Sequence, residues 1–282
     1  MSTDSALVTA LTDAALEAGA AILAVYGCDF AVIAKADRSP VTDADVAAEA
    51  IIVAALGRCL TGVPVVAEEA CAAGHAPGSL GRRFVLVDPL DGTREFVSRN
   101  GEFTVNIALV EDGRPVVGVV LAPVLGLIWV GEVGVGARRG RVEADGGVAW
   151  TPIAVTAAPV EGFRVMASRS HAGAETEALL ARLPVVARVA VGSSLKFCRL
   201  AEGAADFYPR LGRTMEWDTA AGEAVLRAAG GTVVRFDGTP LVYGKTADAP
   251  DGAFANPAFL AFGDPACERA VLARLGGRAP AK

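Results

Sequence analysis

The chain has 282 residues, 52% of them hydrophobic and 21% charged, which is ample for a sizeable core in one large domain or two coupled ones and too apolar for disorder. A formal net charge of −6 and the lack of any long Lys/Arg block exclude binding along a nucleic-acid polymer by a basic stripe. Five cysteines, none in a Cys-x-x-Cys pair, argue against a disulfide framework or a zinc site and for reduced thiols.

Residues 5–26 are rich in Ala and Leu and predict a helix that stops near Gly27. The acidic start of the chain lacks the mark of a signal peptide, and no uncharged apolar run of about 20 residues could span a bilayer. A soluble, cytoplasmic protein without a stable membrane span is expected. Peripheral contact with an inner membrane stays open, as does the choice between monomer and homodimer.

Residues 43–60 predict a second helix, with Thr42 as N-cap and Asp45 placed to complete a capping box. A short buried strand over 64–67 runs into Glu68-Glu69, and a Gly/Pro/Ala-rich loop covers 71–82. A second apolar strand, 84–87, ends at Asp88. Strands over 103–110, 115–122 and 127–132, with turns at Asp112-Gly113 and Pro123–Gly126, form an antiparallel meander. The stretch 141–162 is Gly-rich and reads as irregular, so a soft boundary falls there. It separates an N-terminal α+β domain (1–150) from a C-terminal α/β domain (151–282). The second half alternates: strand 163–167, helix 173–183, strand 185–191, helix 193–203, strand 205–208, helix 216–229 and strand 232–236. A last helix opens at Asp264-Pro265. Layered sheets covered by helices follow from this order.

The most informative stretch is Asp88-Pro89-Leu90-Asp91-Gly92-Thr93. A buried strand ends, and two carboxylates stand three residues apart on a stiffened turn. Gly92 lets the backbone approach a ligand, and the N–H groups of Gly92 and Thr93 at the next helical turn suit an anion. Taken alone, the motif reads equally well as an Asx turn capping its own backbone. Glu68-Glu69 ends a neighbouring apolar strand, and Asp218 falls in the first turn of another helix, where an acid is also favoured by the helix dipole. Two like charges about 4 Å apart repel by about 4 kcal/mol at an effective dielectric of ~20. If Glu68, Asp88, Asp91 and Asp218 converge, a cation is needed, and all-oxygen ligands suit Mg²⁺ or Mn²⁺ rather than zinc.

These elements, with Val41-Thr42-Asp43-Ala44-Asp45, Ala67-Glu68-Glu69 and Trp217–Gly222, resemble the inositol monophosphatase superfamily over nearly the whole chain. The resemblance implies an α+β fold of layered αβαβα type and a phosphomonoester hydrolase using two to three Mg²⁺ ions. It implies that Glu68, Asp88, Asp91 and the Leu90 carbonyl ligate metal, with Asp218 completing the set. Thr93 and Asp45 then orient the attacking water, and Glu69 stands behind the ligands. Charge supports the count: about −4 from four carboxylates and about +6 from three ions leave about +2, matching a doubly ionised phosphomonoester.

The longer strings 88–96, 99–108, 192–198, Tyr208-Pro209-Arg210 and 216–222 look like the CysQ-type 3′(2′),5′-bisphosphate nucleotidases within that superfamily. That branch converts adenosine 3′,5′-bisphosphate, a by-product of sulfate activation and sulfonate transfer, to AMP and phosphate. It implies Ser193, Lys196, Arg210, His171 and Asp218 as substrate-binding residues. Inositol phosphatases carry an acid where Arg210 stands. An arginine accepts no hydrogen bond from a sugar hydroxyl but grips a phosphate with two N–H groups. An inositol, histidinol or fructose-bisphosphate phosphatase remains the alternative enzyme. A silent nucleotide-binding regulator would be expected to lack Thr93, Asp91 or Asp218, and all three are present.

Overall fold

In the computed structural model, which describes residues 5–28, 33–34, 40–168 and 173–276, side-chain alternation along the central strands sets the architecture. The first half holds α1 (Ala6–Tyr26), the short pair β1 (Ile33–Ala34) and β2 (Pro40–Val41), α2 (Asp43–Cys59), β3 (Val65–Ala67) and α3 (Glu68–Ala72). It continues through β4 (Arg83–Asp91), α4 (Thr93–Val97), β5 (Thr104–Glu111), β6 (Arg114–Ala122), β7 (Leu127–Glu132), β8 (Gly136–Val142) and β9 (Val148–Ile153). The remainder is β10 (Phe163–Ser168), α5 (Ala174–Leu180), β11 (Val185–Val191), α6 (Leu195–Ala201), β12 (Phe207–Arg210), β13 (Thr214–Met215), α7 (Glu216–Ala228), β14 (Thr232–Arg235), β15 (Ala255–Asn256), β16 (Phe259–Phe262) and α8 (Pro265–Leu275).

Strands β3 to β9 form one seven-stranded sheet in sequence order, parallel only between β3 and β4. Along β4, Val85 and Val87 point to one face and pack with α1 and α2, while Phe84 and Leu86 point to the other. That second face is covered by α6 and α7, which also pack on a five-stranded sheet of order β11-β10-β12-β16-β14. The far face of this sheet, through Val165, Phe207 and Leu260, meets α5 and α8. The layers therefore run α–β–α–β–α, as the sequence resemblance implied. α7 can lie close to the first sheet because β6 carries Gly118, where a Cβ would strike the Ala221 backbone.

Two expectations change. The stretch read as irregular from 141 contains the end of β8 and all of β9, and the boundary set at 150 falls inside β9. These strands, β9 at the edge and β8 beside it, are half exposed, and β8 carries Arg138, Arg139 and Arg141, so they lack the apolar run that marks a buried strand. α1 is also long and apolar enough, by length and composition alone, to cross a bilayer, with a mean hydropathy of 1.6 over its best window. In the fold it buries Leu11, Ala14, Ala15, Ala18 and Ile22 against α2 and the sheet, as a core helix does.

One buried group carries a pH dependence. Glu223, on α7, has no exposed surface. Burial pushes its carboxyl up to about 7, against the lowering by the Tyr243 hydroxyl, Arg227 and Arg114. Tyr243 donates to Glu223 Oε2 at 2.7 Å, whereas Arg114 stands 3.9 Å from Oε1, too far for a hydrogen bond. Between its ordinary value of 4.5 and about 7 the folded chain holds a proton that the unfolded chain releases, so stability falls as pH rises through that window. Glu223→Gln is expected to remove about 1–3 kcal/mol of this slope. Melting curves at pH 5 and 7.5 check it, and an unchanged difference between the two would contradict it.

Candidate active site

The strand does not end at Asp88, as the sequence suggested: β4 continues to Asp91, with irregular pairing to β5 between Asp88 and Asp91. Asp88 is buried, and its Oδ1 accepts the Leu90 N–H at 3.0 Å. Gly92 takes φ +92, a left-handed conformation, and starts α4. Glu68 opens α3 at the end of the neighbouring strand and hydrogen-bonds Asp88. Burial, then Glu68, Asp91 and Asp218 in that order, push the Asp88 carboxyl well above the usual carboxylate range. Asp218 is raised likewise, by burial first and Asp91 second. These acids, drawn from three distant stretches, feel one another.

Ser194 ties the two lobes at this point. Its hydroxyl contacts Asp91 Oδ2 at 3.0 Å and the Asp218 carbonyl at 2.6 Å. Ser193, strained at φ +51, donates to Asp91 Oδ2 at 2.5 Å and meets the Thr104 hydroxyl at 2.6 Å. Asn106 Nδ2 donates to Ser194 Oγ at 3.0 Å.

Asp45 divides its two oxygens. Oδ2 accepts the Thr42 N–H at 2.8 Å and the Thr42 hydroxyl at 2.7 Å, closing the capping box of α2. Oδ1 faces the Thr93 hydroxyl at 3.4 Å, and the Leu90 carbonyl lies the same distance from that hydroxyl. The cap and the Thr93 contact are therefore made by one carboxylate.

A cleft of about 280 Å³ opens here, lined by Asp91 to Glu95 together with Ser193, Ser194, Lys196, Tyr208, Arg210 and Asp218. Lys196 is buried, its Nζ donating to Ser193 O at 2.7 Å and standing 5.6 Å from the Tyr208 ring centre. Burial lowers its ammonium to about 8, against the pull of Asp91. Arg210 donates to the Gly212 and Arg213 carbonyls, both at 3.1 Å. His171, expected near the substrate, lies outside the described residues.

Several supports have no local signature. Glu49 on α2 accepts the Glu69 and Ala70 N–H groups at 2.7 and 2.8 Å, capping α3 and fixing the backbone beside Glu68. Only a helical i,i+4 spacing from Asp45 could have hinted at it. Asp218 Oδ2 accepts the Met215 N–H at 2.8 Å. Glu216, next to the motif, accepts from Lys245 Nζ at 2.7 Å and the Gly244 N–H at 2.7 Å, pinning the start of α7.

Among the described residues, no group of three or more His, Cys, Asp or Glu side chains is already arranged to hold an ion. Part of each carboxylate is held by protein donors: Asp88 by Leu90, Asp91 by the serines and Asp218 by Met215. The donor set nevertheless fits a hard divalent cation. It is all oxygen, Asp88 within it is buried, and burial followed by mutual repulsion raises Asp88 and Asp218.

The layered fold and the acid-lined cleft define a class. The chain belongs to the inositol monophosphatase family, whose model matches residues 4–258 and whose members are generally metal-dependent. Within that family it is 44% identical, over 87% of its length and 95% of the relative's, to the 3′(2′),5′-bisphosphate nucleotidase CysQ of Escherichia coli K12. The CysQ nucleotidase of Aggregatibacter actinomycetemcomitans is 32% identical over 90% of this chain and 91% of its own. The crystal structure of CysQ from Bacteroides thetaiotaomicron matches with TM-score 0.73 at 38% identity, covering 90% of this chain and 96% of that one. An inositol monophosphatase from Anabaena matches with TM-score 0.74 at 26% identity, covering 97% and 96%.

Proposed function

We propose that this chain is a Mg²⁺-dependent 3′(2′),5′-bisphosphate nucleotidase that converts adenosine 3′,5′-bisphosphate to AMP and phosphate. The observation that carries this reading is the pairing of an acid cluster, of which Asp91 and Asp218 line the cleft, with two tethered cations in the same cleft, Lys196 and Arg210. The names of the similar relatives support it. Glu68, Asp88, Asp91, the Leu90 carbonyl and Asp218 would hold two or three Mg²⁺ ions, with Mn²⁺ as substitute. When bound, the cations supply positive charge to the scissile phosphate and acidify water.

The chain's own groups do the rest. The first-turn N–H groups of Gly92 and Thr93 face the phosphate oxygens. Thr93 Oγ1, held between Asp45 and the Leu90 carbonyl, orients the attacking water and passes its proton toward Asp45. Water oxygen bonds to phosphorus as the P–O3′ bond breaks, the leaving oxygen takes a proton from solvent water, and Asp45 returns the proton it accepted to solvent. Ser193, Lys196 and Arg210 hold the remainder of the nucleotide. In this reading the first lobe, 1–150, brings most ligands, and the second, 151–282, brings Asp218 and the substrate residues.

Two assays test it. Activity should vanish in excess chelator and return with millimolar-range Mg²⁺. Adenosine 3′,5′-bisphosphate should exceed inositol 1-phosphate in kcat/KM by at least about tenfold, a difference of about 1.4 kcal/mol in transition-state binding. A reversed preference would refute the substrate assignment. Arg210→Glu should lower turnover of the bisphosphate far more than that of a simple phosphomonoester.

A further inference from the structure

Among the described residues, four cations line the cleft: Arg94, Lys196, Arg210 and Arg213. Two of them are already engaged. Lys196 gives one of its three protons to Ser193 O at 2.7 Å and approaches Val191 O at 3.5 Å. Arg210 spends donors on the carbonyls of Gly212 and Arg213. Both are therefore held in place, but neither has its full complement of donors left for a ligand.

Arg94 and Arg213 differ. Both are exposed, and among the described residues neither side chain makes an ion pair or a hydrogen bond. They reach the cleft from different parts of the fold. Arg94 follows Thr93 in the first turn of α4, beside the acid cluster. Arg213 lies between β12 and β13, on a loop whose carbonyls at 212 and 213 are clamped by Arg210. Arg210 thus spends its hydrogen bonds fixing the backbone that carries Arg213.

The charges required by the substrate point the same way. A bisphosphate nucleotide brings two doubly ionised groups. The acid cluster with its cations answers the scissile one, leaving about −2 on the other. A guanidinium is charged at any working pH and presents a planar fork that matches phosphate oxygens. Two unpaired forks lining the cleft add about +2 to the charge of Lys196 and Arg210, with all their donors left for phosphate oxygens.

We propose that Arg94 and Arg213 form a guanidinium clamp on the phosphate that is not cleaved, setting the preference for bisphosphates over monophosphates. The proposal rests on the nucleotidase reading above. Because both groups are exposed, their pull should weaken as salt rises.

The test compares adenosine 3′,5′-bisphosphate with adenosine 3′-phosphate on the Mg²⁺-loaded full chain, for wild type, Arg94→Gln, Arg213→Gln and the double variant. Inhibition by AMP, which keeps only the clamped phosphate, is compared with inhibition by inorganic phosphate. The ratio of the two kcat/KM values is expected to fall about tenfold in each single variant and more in the double, through KM of the bisphosphate. The AMP inhibition constant should rise with it, and the ratio should shrink between 50 and 500 mM salt, concentrations chosen on the order of those that bracket a Debye length of ~10 Å. Equal losses on both substrates, or an AMP constant that tracks that of inorganic phosphate, would overturn the clamp while leaving the nucleotidase reading intact. A wild-type protein that ignores the bisphosphate would overturn both.

Discussion

Asp88→Asn is expected to cut turnover by about a thousandfold or more and, in chelator, to make the protein more stable. The first effect follows from the ligand set. Losing a charged ligand from a site that organises cations around a phosphate removes several kcal/mol of transition-state stabilisation, and about 4 kcal/mol corresponds to a factor of 10³. The second follows from the buried cluster. Asp88 has almost no exposed surface, and burial, Glu68, Asp91 and Asp218 all disfavour its charge. Asparagine keeps an oxygen for the Leu90 N–H and drops the charge. A gain of about 1–2 kcal/mol, or roughly 2–6 °C in Tm, is the size expected when strain held for function is relieved. With Mg²⁺ the order should reverse, because only the wild type gains fully from an ion that binds the folded state. Melting curves with and without chelator read both arms. A variant less stable than wild type in chelator would mean that the acids do not repel one another in the fold.

What was legible in the sequence was whatever chemistry forces into short spacings. The Asp88–Thr93 turn, the Thr42/Asp45 box and the first-turn acid of α7 each announce themselves within about six residues, and each stands where its spacing suggested. The layer order was readable because strands buried on both faces are continuously apolar, as β4 and β5 are. The rest is non-local. Ser194 reaches Asp91 across 103 residues, Asn106 reaches Ser194 across 88, and Glu49 caps a helix 20 residues on. No periodicity encodes such contacts. β8 and β9 escaped notice for the opposite reason: at the outer end of the sheet they bury little, so their sequence keeps the charges and glycines of a loop. Asp45 shows how a capping role leaves room for a second one, since a carboxylate has two oxygens and the fold uses them separately.

That division makes Asp45→Asn the sharpest probe of the proposed proton path. With its remaining oxygen turned to Thr42, asparagine can keep the cap, so stability should change by less than about 1 kcal/mol. The atom facing Thr93 becomes an NH₂ donor, and the threonine hydroxyl loses the acceptor that would take its proton. kcat should fall by about 10²–10³, within the range for losing a positioned acid–base group, while KM moves little. Thr93→Val should cost a similar factor, because it removes the hydroxyl and leaves the shape. The double variant should be no worse than the poorer single one, since two groups acting as one relay cannot be lost twice. Losses that multiply would show that Asp45 and Thr93 act separately. A large drop in Tm for Asp45→Asn would show that its cap, rather than its bond to Thr93, is what turnover needs.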